Sequence, residues 1–413
     1  MKLALLFAIR YLFAKKSKNV INIISWISII GVLVGSLGLL IVLSVFNGLH
    51  GLIGSLYGNF DPDFKIESKE GKVFSIDSLD YSSLISIEGV DAVTEVVEDY
   101  ALFRAAERQV PGRFLGVDEQ FNKVSAIESI IVEGEFSLKD HDRFQGVAGF
   151  AIADKLALRL NFVRPLMIYV PEREGRINPM RPDQAFRSGY LQPSGLFMVN
   201  QLDYDAGFII IHIDQARELY SYSSDIVSWL GVKLSEGASF HRVRNEIETV
   251  VGSHLRVLDR EEQHATFYRM MQIEKFMAYL ILSFILLIAV FNVIGTLSML
   301  IFEKRESIVT LRSMGAEKSL INRIFLLEGW LISLAGLIGG LLLGVILVWL
   351  QQTFGFIKFQ GDGAALIVDS YPVVLRWYDV ITVFVTVSLT GFIAAWYPVR
   401  VIVRRYYEGR EVK

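Results

Sequence analysis

Four stretches of this chain are long and apolar enough to cross a lipid bilayer, and no other feature limits its fold as strongly. Crossing as a helix takes roughly 20 apolar residues. The stretch 21–46 has Asn22 as its only strongly polar residue, and 276–302 carries no charge from Met277 to Phe302. The stretch 324–350 holds the single acid Glu328 near its start, and 380–399 has no charge before Arg400. The first is too long for the apolar core of a cleaved signal peptide, about 7–15 residues, and lacks a clear small-residue cleavage site.

Hydrophobic residues make up 52% of the 413, and mean hydropathy is +0.42. A soluble domain averages about 45–50% apolar, so the excess is modest and sits in the four runs. The expected fold class is an integral membrane protein with four transmembrane α-helices and a large α+β extracytoplasmic domain. Its expected parts are a cytoplasmic amphipathic segment (1–20), the first span (21–46), the large domain (47–275) with a helical stalk at 259–275, and the second span (276–302). A cytoplasmic connection (303–323), the third span (324–350), a short outer loop (351–379), the last span (380–399) and a cytoplasmic tail (400–413) follow.

Charge sets the orientation. Residues 47–275 hold 24 Lys and Arg against 35 Asp and Glu, whereas the rest of the chain holds 17 against 9. Of those 17, all but Lys358 and Arg376 lie in the N-terminal segment, the 303–323 connection and the tail. Short loops rich in Lys and Arg stay in the cytoplasm. Both termini and the second connection are therefore expected inside, and the acidic domain outside. Met1–Ser17 reads either as a helix lying on the inner surface or as an extension of the first span.

Within the large domain, Asp63–Glu67, Val90–Arg104, Arg113–Val117, Leu166–Val170, Val227–Leu234 and Leu255–Leu258 read as strands. Ser78–Ile87, Gly149–Leu160, Gln215–Tyr220 with Asp214 as N-cap, and Phe240–Val250 read as helices. Asp259–Lys275 is polar and free of Gly and Pro, and is expected to run unbroken into the second span. Leu49–Gly58 could extend the first span, although Gly48, Gly51, Gly54 and Gly58 weaken that helix. Pro171–Pro193 concentrates four of the nine prolines with Arg173, Arg176, Arg181 and Arg187, between two apolar strands. A protruding hairpin that includes Pro179 and Pro182 is expected, either as a docking element or as a tolerated surface loop.

An energy source is missing. Gly71-Lys72 is followed by Val73 and lacks the upstream glycine of a phosphate-cradling loop. The six histidines form no ligand-spaced pair, no Gly-x-Ser-x-Gly elbow occurs, and there is no cysteine for a disulfide or thiolate site. Asp61 and Asp63, flanking Pro62, read as the turn into the domain. Glu328, within about two helical turns of the cytoplasmic face, is expected to snorkel to the interface. No catalytic residue, metal site or cofactor is therefore expected on this chain.

The spans offer close packing instead. Gly31/Gly35, Gly336/Gly340 and Gly340/Gly344 have the small-xxx-small spacing that lets helix backbones approach. The 303–316 connection has an apolar stripe of Ile308, Val309, Leu311 and Met314 among Glu303, Lys304, Arg305, Glu306 and Arg312, with Gly315 as terminator. A short amphipathic helix between two spans can seat in a groove of a cytoplasmic partner.

That segment resembles the coupling helix of type VII ABC permeases, the MacB/FtsX superfamily, whose pattern is roughly E-x-x-x-E-I-x-x-L-R-x-[ML]-G-A. Glu303, Ile308, Leu311, Arg312, Met314, Gly315 and Ala316 fall in register, while Ser307 stands where the family has Glu. Within that superfamily the chain is most similar to the lipoprotein-releasing permeases of the LolC/LolE family. Tyr204-Asp205, Phe208–Ile213, Asp214-Gln215-Ala216 and Tyr371-Pro372-Val373 with Trp377 and Asp379 carry that likeness. Tyr397, Pro398 and Arg400 match the family's final span, but its Pro-Ala-Glu-Ala-Leu-Arg-like ending is absent.

The resemblance implies a MacB-like periplasmic domain and a place in the bacterial inner membrane. It implies a LolD-like ATPase dimer that binds ATP and Mg and docks on 303–316, and a second permease, either another copy or a LolC/LolE-like paralogue. It further implies a lipoprotein substrate drawn from membrane lipid, and a LolA-like carrier hooked by the 171–193 hairpin; nucleic acid is not an expected partner. An FtsX-like signalling subunit acting on cell-wall hydrolases, and a MacB-like efflux component, are the alternatives. The size of the outer domain and the lack of a fused ATPase count against them.

Overall fold

The computed structural model describes residues 19–58, 60–141, 143–160, 165–172, 185–358 and 370–403. It divides into a membrane unit, Met1–Gly51 with Arg269–Lys413, and a second unit, Leu52–Tyr268. The readings made for Met1–Ser17, for most of the 171–193 hairpin tip and for the tail from Arg404 lie outside the described residues.

Among the described residues, four helices are long and apolar enough to cross a membrane. They are α1 (Asn19–Gly58), α2 (Ala265–Glu303), α4 (Lys318–Phe354) and α5 (Trp377–Pro398); a short α3 (Arg305–Ser313) joins α2 to α4. Each span exceeds the sequence expectation at one end or both, because hydropathy marks only the greasy middle of a helix that continues into water. α5 passes into a π-helical turn at Val399–Val403, where Pro398 withholds a backbone donor.

The membrane unit has two apolar centres. Val32, Leu39 and Leu43 of α1 meet Leu286, Val290 and Val293 of α2, Ile332 and Leu337 of α4, and Val383 and Val387 of α5. Leu297, Leu300 and Ile301 of α2 pack with Ile321 and Phe325 of α4, Ala395 of α5, and Val399 and Val403. The wide outward faces of α1 and α2, with Trp26, Ile30, Phe284 and Phe291 all more than half exposed, are clothed in apolar side chains.

Glu328 does not snorkel. It is fully buried, ten residues into α4 and so about 15 Å along it. The expectation fails because α4 starts at Lys318, which draws this turn into the bundle. The neighbouring Gly329 lies against Leu297 and Ala395.

In the second unit the strands are β1 (Phe64–Ser68), β2 (Phe74–Ser75), β3 (Val90–Ala105), β4 (Arg108–Val117) and β5 (Ile131–Gly134). There follow β6 (Lys139–Asp140), β7 (Arg143–Gly149), β8 (Leu166–Pro171) and β9 (Phe186–Phe197). Last come β10 (Phe208–His212), β11 (Ile226–Val227), β12 (Trp229–Leu234) and β13 (Leu255–Asp259). The main sheet runs β13-β1-β12-β3-β4-β10-β7-β9-β5. Because β8 pairs with both β3 and β9, the strands β3, β4, β10, β7, β9 and β8 close into a ring.

The long β3 belongs to two lobes. Its first half, Val90–Val96, pairs with β12, and Leu102–Arg104 pairs with β8. The ring encloses Phe103, Phe114, Ile168, Leu191 and Ile209, with Ile152 and Ala216 from helices Phe150–Leu156 and Ile213–Tyr220. The smaller lobe packs Phe64, Ile66, Leu230 and Val232 against Val243 and Ile247 of helix Phe240–Val251. Each fully buried Phe or Ile contributes about 1.5–3 kcal/mol by leaving water.

Local details depart from the sequence reading. The 78–87 helix is a 3-10 turn (Ile76–Ser78) followed by Tyr81–Ile85, because Asp80 caps the second piece through Ser83 N. The helix expected to reach Leu160 stops at Leu156, where Ala157 turns left-handed. His212, not Asp214, caps the next helix: its ring accepts from Asp214 N, so the helix begins two residues earlier, at Ile213. The stalk is broken. Asp259 and Glu262 form a capping box for Arg260–Gln263, His264 leaves helical geometry, and α2 starts at Ala265.

Candidate functional site

The connecting helix α3 is nine residues long, with a sharp end. Gly315, at φ +89°, takes the left-handed conformation that costs glycine nothing, and Ala316 N closes on Leu311 O at 3.0 Å. The apolar stripe read from the sequence is divided by the fold. Ile308 is 1% exposed and packs into the second apolar centre beside Leu300, Ile321 and Phe325. Leu311 is half-buried, while Val309 and Met314 are 57% and 78% exposed.

Arg305, Glu306 and Arg312 are exposed around that outward edge, Arg305 resting over the Phe302 ring at 5.4 Å. Glu303 ends α2 and is half-buried. The outcome is an apolar centre ringed by charges, which is the composition of a small protein-binding patch. Ile308 holds the helix to the bundle and is not part of that exposed patch.

The glycines lie at helix contacts. A Cβ on Gly340 of α4 would fall 2.0 Å from Ser36 Oγ and 2.5 Å from Leu33 O, and one on Gly336 would fall 2.6 Å from Ile29 O. Gly344 faces Leu40 in the same row. Gly35 faces Leu286 of α2 closely and Gly31 faces Ala289 at an ordinary 3.6 Å. α1 is thus pressed by α4 on one side and α2 on another. Hydroxyl pairs add to this: Ser28 with Thr296 at 2.6 Å, and Tyr279 with Thr386 at 2.6 Å.

At the base of the second unit, Asp61 accepts from Tyr204 Oη at 2.7 Å and meets His264 Nε2 at 2.7 Å. Tyr57 stacks on His264 with ring centroids 4.0 Å apart. Burial, then the neighbouring Asp61 charge, hold the Tyr204 phenol well above its ordinary pKa, so it remains a donor. Asp205 accepts from Val199 N at 2.7 Å, and burial raises its carboxyl. Asp63 serves other partners: Leu234 N at 2.8 Å and Arg260 at 2.8 Å. The two acids read as one turn thus anchor different elements.

The hairpin strands pair as β8 with β9, from Leu166↔Leu191 to Pro171↔Phe186. Arg187 lies on that base, bonded to Ser221 and 3.3 Å from Glu172. Arg173, Arg176, Pro179, Arg181 and Pro182 fall outside the described residues.

Sequence reasoning missed His264, hidden in a stretch read as plain helix, and the meeting of Asn47, Lys275 and Asp379 taken up below. Tyr204 and Asp379 were quoted for their order in the chain, with no chemical role attached. Among the described residues no group of three or more His, Cys, Asp or Glu could hold a metal.

This arrangement is that of a multi-pass membrane protein whose second and third spans are joined by a short helix and whose large domain is inserted between the first two spans. Residues 279–406 match the family described as FtsX-like permease C-terminal, and the chain carries an FtsX-like permease domain. It is similar to the lipoprotein-releasing system transmembrane protein LolC of Xylella fastidiosa strain 9a5c, 24% identical over 312 residues and 73% of each chain. It is also similar to the corresponding LolE of Haemophilus influenzae, 24% identical over 301 residues and 68% of each chain. Among solved structures, the periplasmic region of MacB from Actinobacillus actinomycetemcomitans aligns with 53% of this chain and 98% of its own, at 10% identity and a TM-score of 0.36.

Proposed function

We propose that this chain is the permease subunit of an ATP-driven complex that extracts lipoproteins from the bacterial inner membrane and hands them to a periplasmic carrier. The observation that carries this reading is α3: a short helix, fixed to the bundle by Ile308, that offers Val309 and Met314 within a ring of charge. A separate ATPase dimer docks there and supplies the ATP and Mg chemistry. The basic short connections support a cytoplasmic position for α3 and both termini and a periplasmic one for the acidic unit. The names borne by the LolC and LolE relatives favour a lipoprotein cargo, with a second permease copy or paralogue completing the channel and a LolA-like carrier meeting the 171–193 hairpin.

The test is depletion of the protein followed by membrane fractionation. Outer-membrane lipoproteins should accumulate in the inner membrane. Normal sorting would reject the cargo assignment and leave the signalling reading, in which an FtsX-like subunit moves nothing.

A further inference from the structure

Three polar side chains meet where α1 leaves the bundle and α2 and α5 enter it. Lys275 Nζ donates to Asn47 Oδ1 at 2.8 Å and to Asp379 Oδ1 at 3.3 Å. Asn47 Nδ2 donates to Asp379 Oδ2 at 2.5 Å and to Val374 O at 3.2 Å. Asn47 and Asp379 are 3% and 5% exposed, and the Lys275 side chain is 31% exposed. The segment before α5 lies directly on α1: Val374 N donates to Ser44 O at 2.9 Å, and a Cβ on Gly48 would fall 2.2 Å from Pro372 O.

Adhesion alone does not call for such a group. Three helices with apolar flanks are held by small residues and packing, and a buried ion pair costs desolvation that hydrophobic residues of similar volume avoid. What the group supplies is a single register. The Asn47 amide serves one donor through its oxygen and two acceptors through its nitrogen at once, so no one-residue slide of α1, α2 or α5 preserves the set. Removing one charge leaves its partner poorly matched in a largely dry site.

We infer that Asn47, Lys275 and Asp379 are positioning residues that lock the start of α5 to the two helices on which the large domain is threaded, so that movement of α5 is handed to α1 and α2. The use made of this lock rests on the proposed reading as a driven permease; its geometry does not.

The chain has no cysteine, so reporter pairs can be introduced without background. Leu280→Cys on α2 and Ile381→Cys on α5, both partly exposed, are spin-labelled in the full-length protein in lipid nanodiscs, and their separation is read by pulsed EPR. The parent protein should give one narrow separation. Asp379→Asn and Lys275→Met should each add a second, longer population and abolish lipoprotein release in cells. The exchange Lys275→Asp with Asp379→Lys should restore the single separation and part of the release, because the Asn47 amide can turn over to face reversed charges, losing only its bond to Val374 O. Parent-like separation and release in both single variants would overturn the lock, as would an exchange variant no better than either. If the spacings change as stated while depletion leaves lipoprotein sorting normal, the cargo assignment falls and the lock stands.

Discussion

Replacing Gly340 with alanine tests the close backbone contact between α1 and α4. The new methyl would stand 2.5 Å from Leu33 O, a backbone atom that cannot swing away. Ordinary contact begins near 3.5 Å, so the helices must separate by roughly 1 Å. The hydroxyl of Ser36, 2.0 Å from the same methyl, must also turn, although it is bonded to Val32 O at 2.9 Å. Overpacking of this kind costs about 1–3 kcal/mol. Against it stands a gain of up to about 1 kcal/mol in helix propensity on leaving glycine. Gly38 of α1 is the matched control, since nothing lies within 4 Å of its Cβ position and only the propensity gain applies. Titrating the folded protein from mild micelles into SDS, with helix content as signal, should therefore rank Gly38→Ala at or above the parent. Gly340→Ala should fall below Gly38→Ala by about 1–3 kcal/mol. Equal midpoints for the two variants would refute the close contact.

Three further outcomes are expected. Arg312→Glu with Met314→Asp should weaken co-purification of the ATPase partner about tenfold or more, as expected for loss of a central contact, while leaving the bundle folded; Ile308→Asp should instead destabilise the bundle, since it buries a carboxylate among apolar side chains, and undiminished capture by the first variant would remove α3 as the docking element. Deleting residues 173–184 should abolish crosslinking to the periplasmic carrier without loss of ATPase assembly, and unchanged crosslinking would exclude the hairpin. Asp80, bonded to Ser82 and Ser83, has its carboxyl pulled down to about 2 from 3.8. A lowered folded value means its stabilisation is present above pH 3.8 and lost as pH falls through about 2, so Asp80→Ala should speed amide exchange at Ser83 near neutrality, and equal exchange rates there would refute the cap.

The spans were legible because bilayer thickness demands long uninterrupted apolar runs, and most strands because alternation survives in a half-buried sheet. Helix ends were less so. Glu328 was misplaced because its depth depends on where α4 begins, and hydropathy says nothing of the polar turns from Lys318 onward. The division of the α3 stripe was invisible, since Ile308 and Val309 are chemically alike and only the packing of α2, α4 and the turn after α5 tells them apart. His264 escaped notice because its partner Asp61 lies 203 residues away. Asn47, Lys275 and Asp379 likewise come from three distant segments, each with an innocent local reading. Long-range polar sets of this kind leave no periodicity behind.

Strand β3 has a mechanical consequence. Sixteen residues of one strand supply hydrogen bonds to the small lobe at one end and to the closed ring at the other. A pull that drew the lobes apart along this strand would load its ladder lengthwise, with many bonds strained together, so none could open ahead of the rest. A twist of one lobe against the other would instead bend a single ribbon about its middle, near Val97–Ala101, where the partner on one side changes from β12 to β8 while β4 continues alongside. The domain is therefore built to resist stretching and to yield by torsion.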